Sequence, residues 1–397
     1  MMSLPSEPSL RFSKFNGKWS FDTLGRISSL VKDGTHGTHK NISSPYLLLS
    51  AKNLKNGLVT FDESDRTISE DEFNGIYKNY KLQKGDILLS VVGSIGRTAI
   101  FDGNEYIAFQ RSVAFFRMID NVPSFTYQFM NSQHFQNELL KRQVVSAQPG
   151  IYLGDLSKIK VSIPILEEQK KIADFLSAVD KKISLLKEKH ALLGQYKKGV
   201  MQKLFSQEVR FKDENGNDFP DWQVEPIGKY LEEYKERVTV NTDIPVLTSS
   251  RTGLYLQERK VINEGEYGVV PKGYFTYRHM SDDLVFKFNL NRIWDKGAVS
   301  KEYPVFKTVG MNSYFLELSL NEGNDFKRFA IQQKVGGTRT RLYYKNLVKL
   351  KLNTPSLDEQ NKIADFLQAI DKKLELVSQL IEHTQTFKKG LLQQMFV

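Results

Sequence analysis

Two stretches of this chain repeat each other 191 residues apart. LEEQKKIADFLSAVDKKI at 166–183 recurs as LDEQNKIADFLQAIDKKL at 357–374, and 19 of 40 aligned positions are identical across 166–205 and 357–396. The same offset carries Lys197-Lys198-Gly199 onto Lys388-Lys389-Gly390 and Phe205 onto Phe396, and Pro164 or Pro355 precedes each copy. Agreement over this length is a duplication, so the fold has to be assembled from two similar halves. Both copies have a helical period. Ile172, Leu176, Val179, Ile183, Leu186, His190, Leu193 and Val200 fall on one heptad seam; Ile363, Leu367, Ile370, Leu374, Val377, Ile381, Thr384 and Leu391 fall on the other. Steps of four and three residues over several heptads predict coiled-coil packing. Forty helical residues span roughly 60 Å at about 1.5 Å each. His190 reads as a packed residue of an irregular seam layer.

The rest of the chain forms two larger segments, 1–163 and 207–354, with spacer helices expected over 164–206 and 355–397. Tyr80–Val92 and Ser112–Met118 pattern as strands around turns, as do Ile244–Thr248, Gly268–Val270 and Leu284–Phe288. Each segment opens near a tryptophan, Trp19 or Trp222, and closes on Leu156–Lys160 or Leu347–Lys351. Between these ends the two differ strongly. The layout is globule, helix, globule, helix, with similar frames and divergent interiors.

Charge divides the chain along the same lines. Lys+Arg 56 against Asp+Glu 46 leaves a net +10. The first repeat carries nine lysines and five acids, the second five lysines and six acids, and all 16 arginines lie outside both. Arginine suits bidentate recognition of phosphate and guanine, so the globules are the candidate reading surfaces. There is no cysteine, which excludes disulfides, thiolate zinc sites, iron–sulfur clusters and a thiol nucleophile. The opening MMSLPSEPSLRFSKF has no apolar core of signal-peptide length, and no run approaches the ~18 apolar residues of a membrane helix. A soluble cytoplasmic protein is expected.

These features resemble the specificity subunit of a type I DNA restriction–modification system. The resemblance rests on Pro-x-Leu-x-Glu-Gln-x-x-Ile-Ala-x-Phe-Leu at Pro164–Leu176 and Pro355–Leu367, the Asp-Lys-Lys at 180–182 and 371–373, and the late Lys-Lys-Gly. Phe219-Pro220-Asp221-Trp222 resembles the start of a recognition domain. Gly85–Leu88 followed by Gly93–Thr98 resembles a segment common inside one. The resemblance implies an α+β fold: two mixed α/β target-recognition domains separated by two long antiparallel coiled-coil helices, related by a pseudo-two-fold internal repeat. It implies that each recognition domain reads one half of a bipartite, asymmetric site on double-stranded DNA while the helices set the spacing. Two methyltransferase subunits would dock on the helices, joined by restriction–translocase subunits. The chain itself would be non-catalytic and bind no cofactor. S-adenosylmethionine would serve the methyltransferases, ATP and Mg2+ the translocases.

Several loops carry the groups such reading needs. Gly93–Thr98 (GSIGRT) lacks Walker A spacing; it is either a DNA-proximal turn offering Arg97 and Thr98 or a plain hairpin turn. Lys32–Lys40 (KDGTHGTHK) holds Asp33, His36 and His39, three potential metal ligands in seven residues, but no further ligand cluster is evident; Lys32, Thr35, His36 and Lys40 are the expected DNA contacts, with a solvated loop as the alternative. The globules end correspondingly on VSAQPG (145–150), with Ser146 and Gln148, and GGTRTR (336–341), with Thr338, Arg339 and Arg341, suited to phosphate or base-edge contacts or to capping a sheet. Arg278 and His279 follow an aromatic stretch and are expected to project toward DNA, and Arg251 and Thr252, after an expected strand, are another candidate pair. The helix contacts expected are Ile172, Leu176, Val179, Ile183, Leu186, Ile363, Leu367, Ile370, Leu374 and Val377.

Two other function classes compete. A coiled-coil scaffold with protein-binding globules would explain the helices but not the confinement of arginine. A self-contained enzyme would need catalytic motifs, and none recurs at the repeat offset. Pro220-Asp221 with Glu233-Tyr234-Lys235 mimics a nuclease pattern but is better explained as a domain opening. No N-P-P or D-P-P followed by an aromatic occurs, so the chain is not the amino-methyltransferase of such a system.

Overall fold

The structure, a computed structural model, describes residues 7–144, 149–239, 241–258, 265–334 and 338–396. Both repeats are single helices, Leu166–Phe205 of 40 residues and Leu357–Met395 of 39. Glu167 and Glu168, and likewise Asp358 and Glu359, sit in the first turn, where negative charge complements the helix dipole. The chain divides into two compact units, Met1–Lys189 with Val377–Val397, and His190–Leu376. Each unit takes part of both long helices, and the first is assembled from two separate stretches of the sequence.

In the first unit Ile172, Leu176, Val179 and Ile183 share a core with Leu391, Leu392, Met395 and Phe396, beside Trp19, Phe125 and Phe129. In the second, Ile363, Leu367 and Ile370 share one with Leu204, Trp222 and Phe315, flanked by Val200 and Leu374. Within each unit the opening turns of one helix therefore meet the closing turns of the other, an antiparallel pairing. Val377 is buried, whereas Leu186, His190 and Leu374 are half-buried. The heptad seam has a gap at 197 and 388, both lysine. Lys388 Nζ pairs with Asp180 at 2.6 Å, and Lys197 Nζ with Asp371 at 2.5 Å. Gln128 also donates to Asp180, and the Tyr314 hydroxyl to Asp371. The repeated Asp-Lys-Lys and Lys-Lys-Gly motifs are thus two sides of one ion pair, made once in each unit. A charged seam position of this kind selects register at some cost in stability.

The Glu-Gln of the repeat docks each globule on its helix. Arg11 binds Glu168 through Nε and Nη2, both at 2.7 Å. Arg210 binds Glu359 at 3.1 and 2.8 Å, and Trp222 Nε1 adds a third bond at 3.0 Å. Gln169 accepts from Val122 N and donates to the Pro164 carbonyl. Gln360 accepts from Asn312 N and donates to the Pro355 carbonyl. These four side chains are at most 2% exposed. Burial is tolerable because every carboxylate and amide is paired.

The globules share a strand order. In the first unit Ser28–Asp33, Val113–Met118, Ile87–Ser90 and Thr98–Ile100 form one antiparallel sheet in that spatial order. In the second, Leu231–Glu233, Val305–Thr308, Phe275–Tyr277 and Phe288–Leu290 do the same. Ser20–Thr23 pairs with Lys160–Ile163 as Gln223–Pro226 pairs with Lys351–Thr354. A parallel contact recurs too: Tyr46–Leu49 on Ile107–Phe109, and Val246 on Ala298. The interiors then diverge. The first unit inserts the helix Glu70–Asn79, opened by a Ser69/Glu72 capping box. The second instead has the hairpin Leu247–Ser250/Gly253–Leu256 and the sheet of Arg237–Thr239, Glu266–Pro271 and Lys296–Ser300.

Three strand expectations shift. Tyr80 caps the inserted helix and Gln83–Asp86 forms a turn, so the strand begins only at Ile87. Leu284 has a left-handed φ of 66°, incompatible with a regular strand, and the strand is Phe288–Leu290. The Ile244–Thr248 expectation moves to Leu247–Ser250.

Candidate nucleic-acid interface

Three segments distant in sequence meet on the second unit. Met280–Ser281 pairs antiparallel with Thr340–Arg341, in the register Met280 with Arg341 and Ser281 with Thr340. Leu342 N continues the ladder to the His279 carbonyl at 2.8 Å. In the other direction the register sets Asp282 opposite Arg339, whose Nε lies 2.9 Å from Asp282 Oδ1. Successive residues alternate between faces, as strand geometry requires. His279, Ser281, Thr340 and Leu342 are buried; Arg278, Asp282, Arg339, Arg341 and Tyr343 are exposed. The inner face is fixed to an aromatic core that includes Leu342, Tyr277, Phe286, Phe288 and Phe306, and the Tyr277 hydroxyl donates to the Leu342 carbonyl. The outer face is therefore a firmly held two-stranded ribbon bearing three arginines.

A fourth arginine joins it from the tip of the Leu247–Leu256 hairpin. Asn289 anchors that hairpin, donating to Ser249 Oγ at 2.8 Å and the Ser250 carbonyl at 2.9 Å. Gly253 closes the tip at φ 144°, a conformation open chiefly to glycine. Arg251 then reaches Asp283 with both Nη atoms, at 2.8 and 2.6 Å. Its guanidinium, with Ser281 Oγ and Val285 N, pulls the Asp283 carboxyl down to about 2. Thr252 is exposed and bonds Ser250 Oγ. Arg278 and Arg341 have no side-chain partner among the described residues. Thr338 is exposed.

His279 corrects the expectation that it projects outward beside Arg278. It is 5% exposed and stacks on Tyr343 at 5.8 Å. Burial lowers its pKa from 6.5; Glu302 opposes this, and Arg341 and Arg278 reinforce it. The folded value lies below the unfolded one, so this contribution to stability is complete above about 6.5 and fades as pH falls through that value towards the folded one. Thermal melts of the full chain should show a lower Tm at pH 5 than at pH 7, and His279→Phe should flatten that difference. An unchanged pH slope in the variant would refute the assignment.

On the first unit the corresponding backbone is laid out alike. Ile151 N bonds the Val91 carbonyl, Gly93 N the Pro149 carbonyl, Val91 N the Ser112 carbonyl and Arg111 N the Thr35 carbonyl. The loops at 34–36, 91–97, 110–112 and 149–151 thus share one end of the globule. Ser146 and Gln148 lie outside the described residues. Arg97 is exposed on a turn closed by Gly93 and Gly96, at φ 75° and 93°. Thr98 is a second correction: it opens a strand, is 5% exposed, and donates internally to Asn131 at 3.0 Å. Arg111, which sequence reasoning passed over, is exposed beside Thr35 without a side-chain partner among the described residues. Its only signal was an arginine in a short turn between apolar strands.

The Lys32–Lys40 loop is more ordered than a solvated loop. Thr35 Oγ1 bonds His39 Nε2 at 2.9 Å, His39 Nδ1 meets Glu72 at 3.1 Å, and exposed His36 meets Asp33 at 2.8 Å. Lys32 is half-buried on the edge strand Ser28–Asp33, and Lys40 is exposed. The histidines are thus tied to different acids, and no group of three or more metal-binding side chains converges among the described residues.

Comparison with known proteins places these features among relatives. The type I restriction modification DNA specificity domain matches residues 40–195 and 295–384. The putative type I restriction enzyme MjaX specificity subunit of Methanocaldococcus jannaschii is 26% identical over 94% of this chain and 92% of its own. The MjaVIII specificity subunit of the same organism is 30% identical over 59% of this chain and 60% of its own. Among solved structures, the type I restriction-modification system S subunit from M. genitalium shares the fold at a TM-score of 0.61 and 16% identity, across 98% of this chain and 99% of that one. A chain from a structural study of type I system assembly and conformational transition does so at a TM-score of 0.54 and 12% identity, across 94% and 96%.

Proposed function

The chain belongs to the type I restriction–modification DNA specificity family, and from that premise we propose that its two globules read the two halves of a bipartite, asymmetric DNA site. The observation that carries this reading is the arginine ribbon of the second unit. A major groove admits a two-stranded ribbon, and arginine is the commonest side chain reading guanine there. The divergent interiors make the two half-sites different. The long helices set the gap between half-sites and dock two methyltransferase subunits, with restriction–translocase subunits joining them. The chain contributes recognition rather than chemistry; S-adenosylmethionine, ATP and Mg2+ act in its partners. DNA contacts on the first unit come from Thr35, His36, Lys40, Arg97 and Arg111, and on the second from Arg251, Thr252, Arg278, Thr338, Arg339 and Arg341.

Single-molecule methylation sequencing of DNA from cells expressing the chain with its cognate methyltransferase tests this. The expected result is one bipartite motif with methyladenine on both strands. Exchanging residues 207–354 for those of a relative should alter one half only. A soluble complex that methylates no defined motif would overturn the reading.

A further inference from the structure

The four arginines of the ribbon and the hairpin tip differ in which edge of the guanidinium is occupied. Arg251 spends both Nη atoms on Asp283, so its outer fork is covered. Arg339 is held through Nε alone, by the carboxylate directly opposite it on the ribbon. Its Nη1 and Nη2 make no hydrogen bond among the described residues, and its side chain is 58% exposed. The outer fork of a guanidinium is the edge that fits guanine O6 and N7. A bond at Nε fixes the plane of the group while leaving that fork presented, which lowers the ordering cost of binding. The strand alternation adds direction. Thr340 and Leu342 point into the core, so Arg339 and Arg341 share the outer face.

We infer that Arg339 is a guanine-reading, specificity-determining residue, oriented by Asp282, and that Arg251 is masked by Asp283 in the free protein. This rests on the proposal that the second globule reads a DNA half-site. Asp282 is then a positioning residue. Its charge also disfavours nearby phosphates, so the arginine is withheld from indiscriminate backbone contact.

The experiment uses the assembled methyltransferase complex. Arg339→Ala should relax one G·C position of one half-site, with roughly 10–100-fold loss of discrimination there, and leave every other position intact. Asp282→Asn should relax the same position partially. Arg251→Ala should lower the occupancy of the motif and leave its letters unchanged. A binding assay covers variants too weak to methylate. Replacing each guanine of that half-site in turn by 7-deazaguanine, which lacks the N7 acceptor, should weaken the wild-type complex at one position and not the Arg339→Ala complex. A half-site without a G·C pair, an unaltered motif in Arg339→Ala, or equal 7-deazaguanine sensitivity in both proteins overturns the inference. A wild-type complex with no motif at all overturns the parent proposal instead.

Discussion

Glu359→Ala should destabilise the second unit by about 3–5 kcal/mol, the cost of removing one partner from a buried ion pair. Glu359 is 0% exposed and accepts two bonds from Arg210 and one from the Trp222 indole. Truncation leaves the guanidinium beside its helix with only the Phe219 and Pro220 carbonyls and the more distant Asp221. An apolar replacement such as Glu359→Leu is no remedy, because Arg210 stays behind unneutralised. Domains of ordinary stability have about 5–15 kcal/mol in total, so this single change removes a large share. Urea unfolding of the full chain followed by circular dichroism measures it. Asp358→Ala, at the exposed neighbouring position, is the control and should fall within about 0.5 kcal/mol of wild type. Equal effects at 358 and 359 would remove the docking role assigned to the Glu-Gln motif.

The long helices were legible because apolar spacing encodes them locally and because the chain states the pattern twice. What the motif residues do was not legible. Asp180 and Lys388 are 208 positions apart, and nothing local announces that one answers the other. The gap at 197 and 388 in each apolar seam was the only trace. The helix Glu70–Asn79 was readable, since Ser69-x-x-Glu72 is a capping box. It was missed because the surrounding segment has a strand-rich pattern. The family followed chiefly from the repeat; the globules added only Phe219–Trp222, Gly85–Leu88 and Gly93–Thr98.

The site divides in the same way. Arg251, Arg278, Arg339 and Arg341 were identifiable by residue type in glycine- and aromatic-rich loops. Their assembly into one face depends on a pairing between segments 57 residues apart, which sequence does not specify. Where a side chain points along a strand also decided two failures. Thr98 and His279 have suitable chemistry, but their positions turn them inward. Asp282 and Asp283, read from sequence, are merely acids among arginines. In the structure they determine which guanidinium edge is free.

Arg278 and Arg341 should behave differently from Arg339, and their double removal should give the largest loss of DNA binding. Both are exposed on the ribbon without a side-chain partner among the described residues, and neither has an acid to orient it. They suit phosphate oxygens, which position the protein without reading sequence. At about 1.5–3 kcal/mol for each charge-assisted bond, Arg278→Ala with Arg341→Ala should weaken binding by roughly 10²–10⁴-fold. The loss should be similar on cognate and non-cognate duplexes, so the methylated motif keeps its letters while its occupancy falls. The logarithmic salt dependence should flatten by about 2, because each lost phosphate contact removes about 0.9 from the slope. Fluorescence anisotropy of the methyltransferase complex between 50 and 200 mM salt reads both quantities. A changed motif with an unchanged slope would make these two arginines base readers and return the phosphate contacts to another face of the unit.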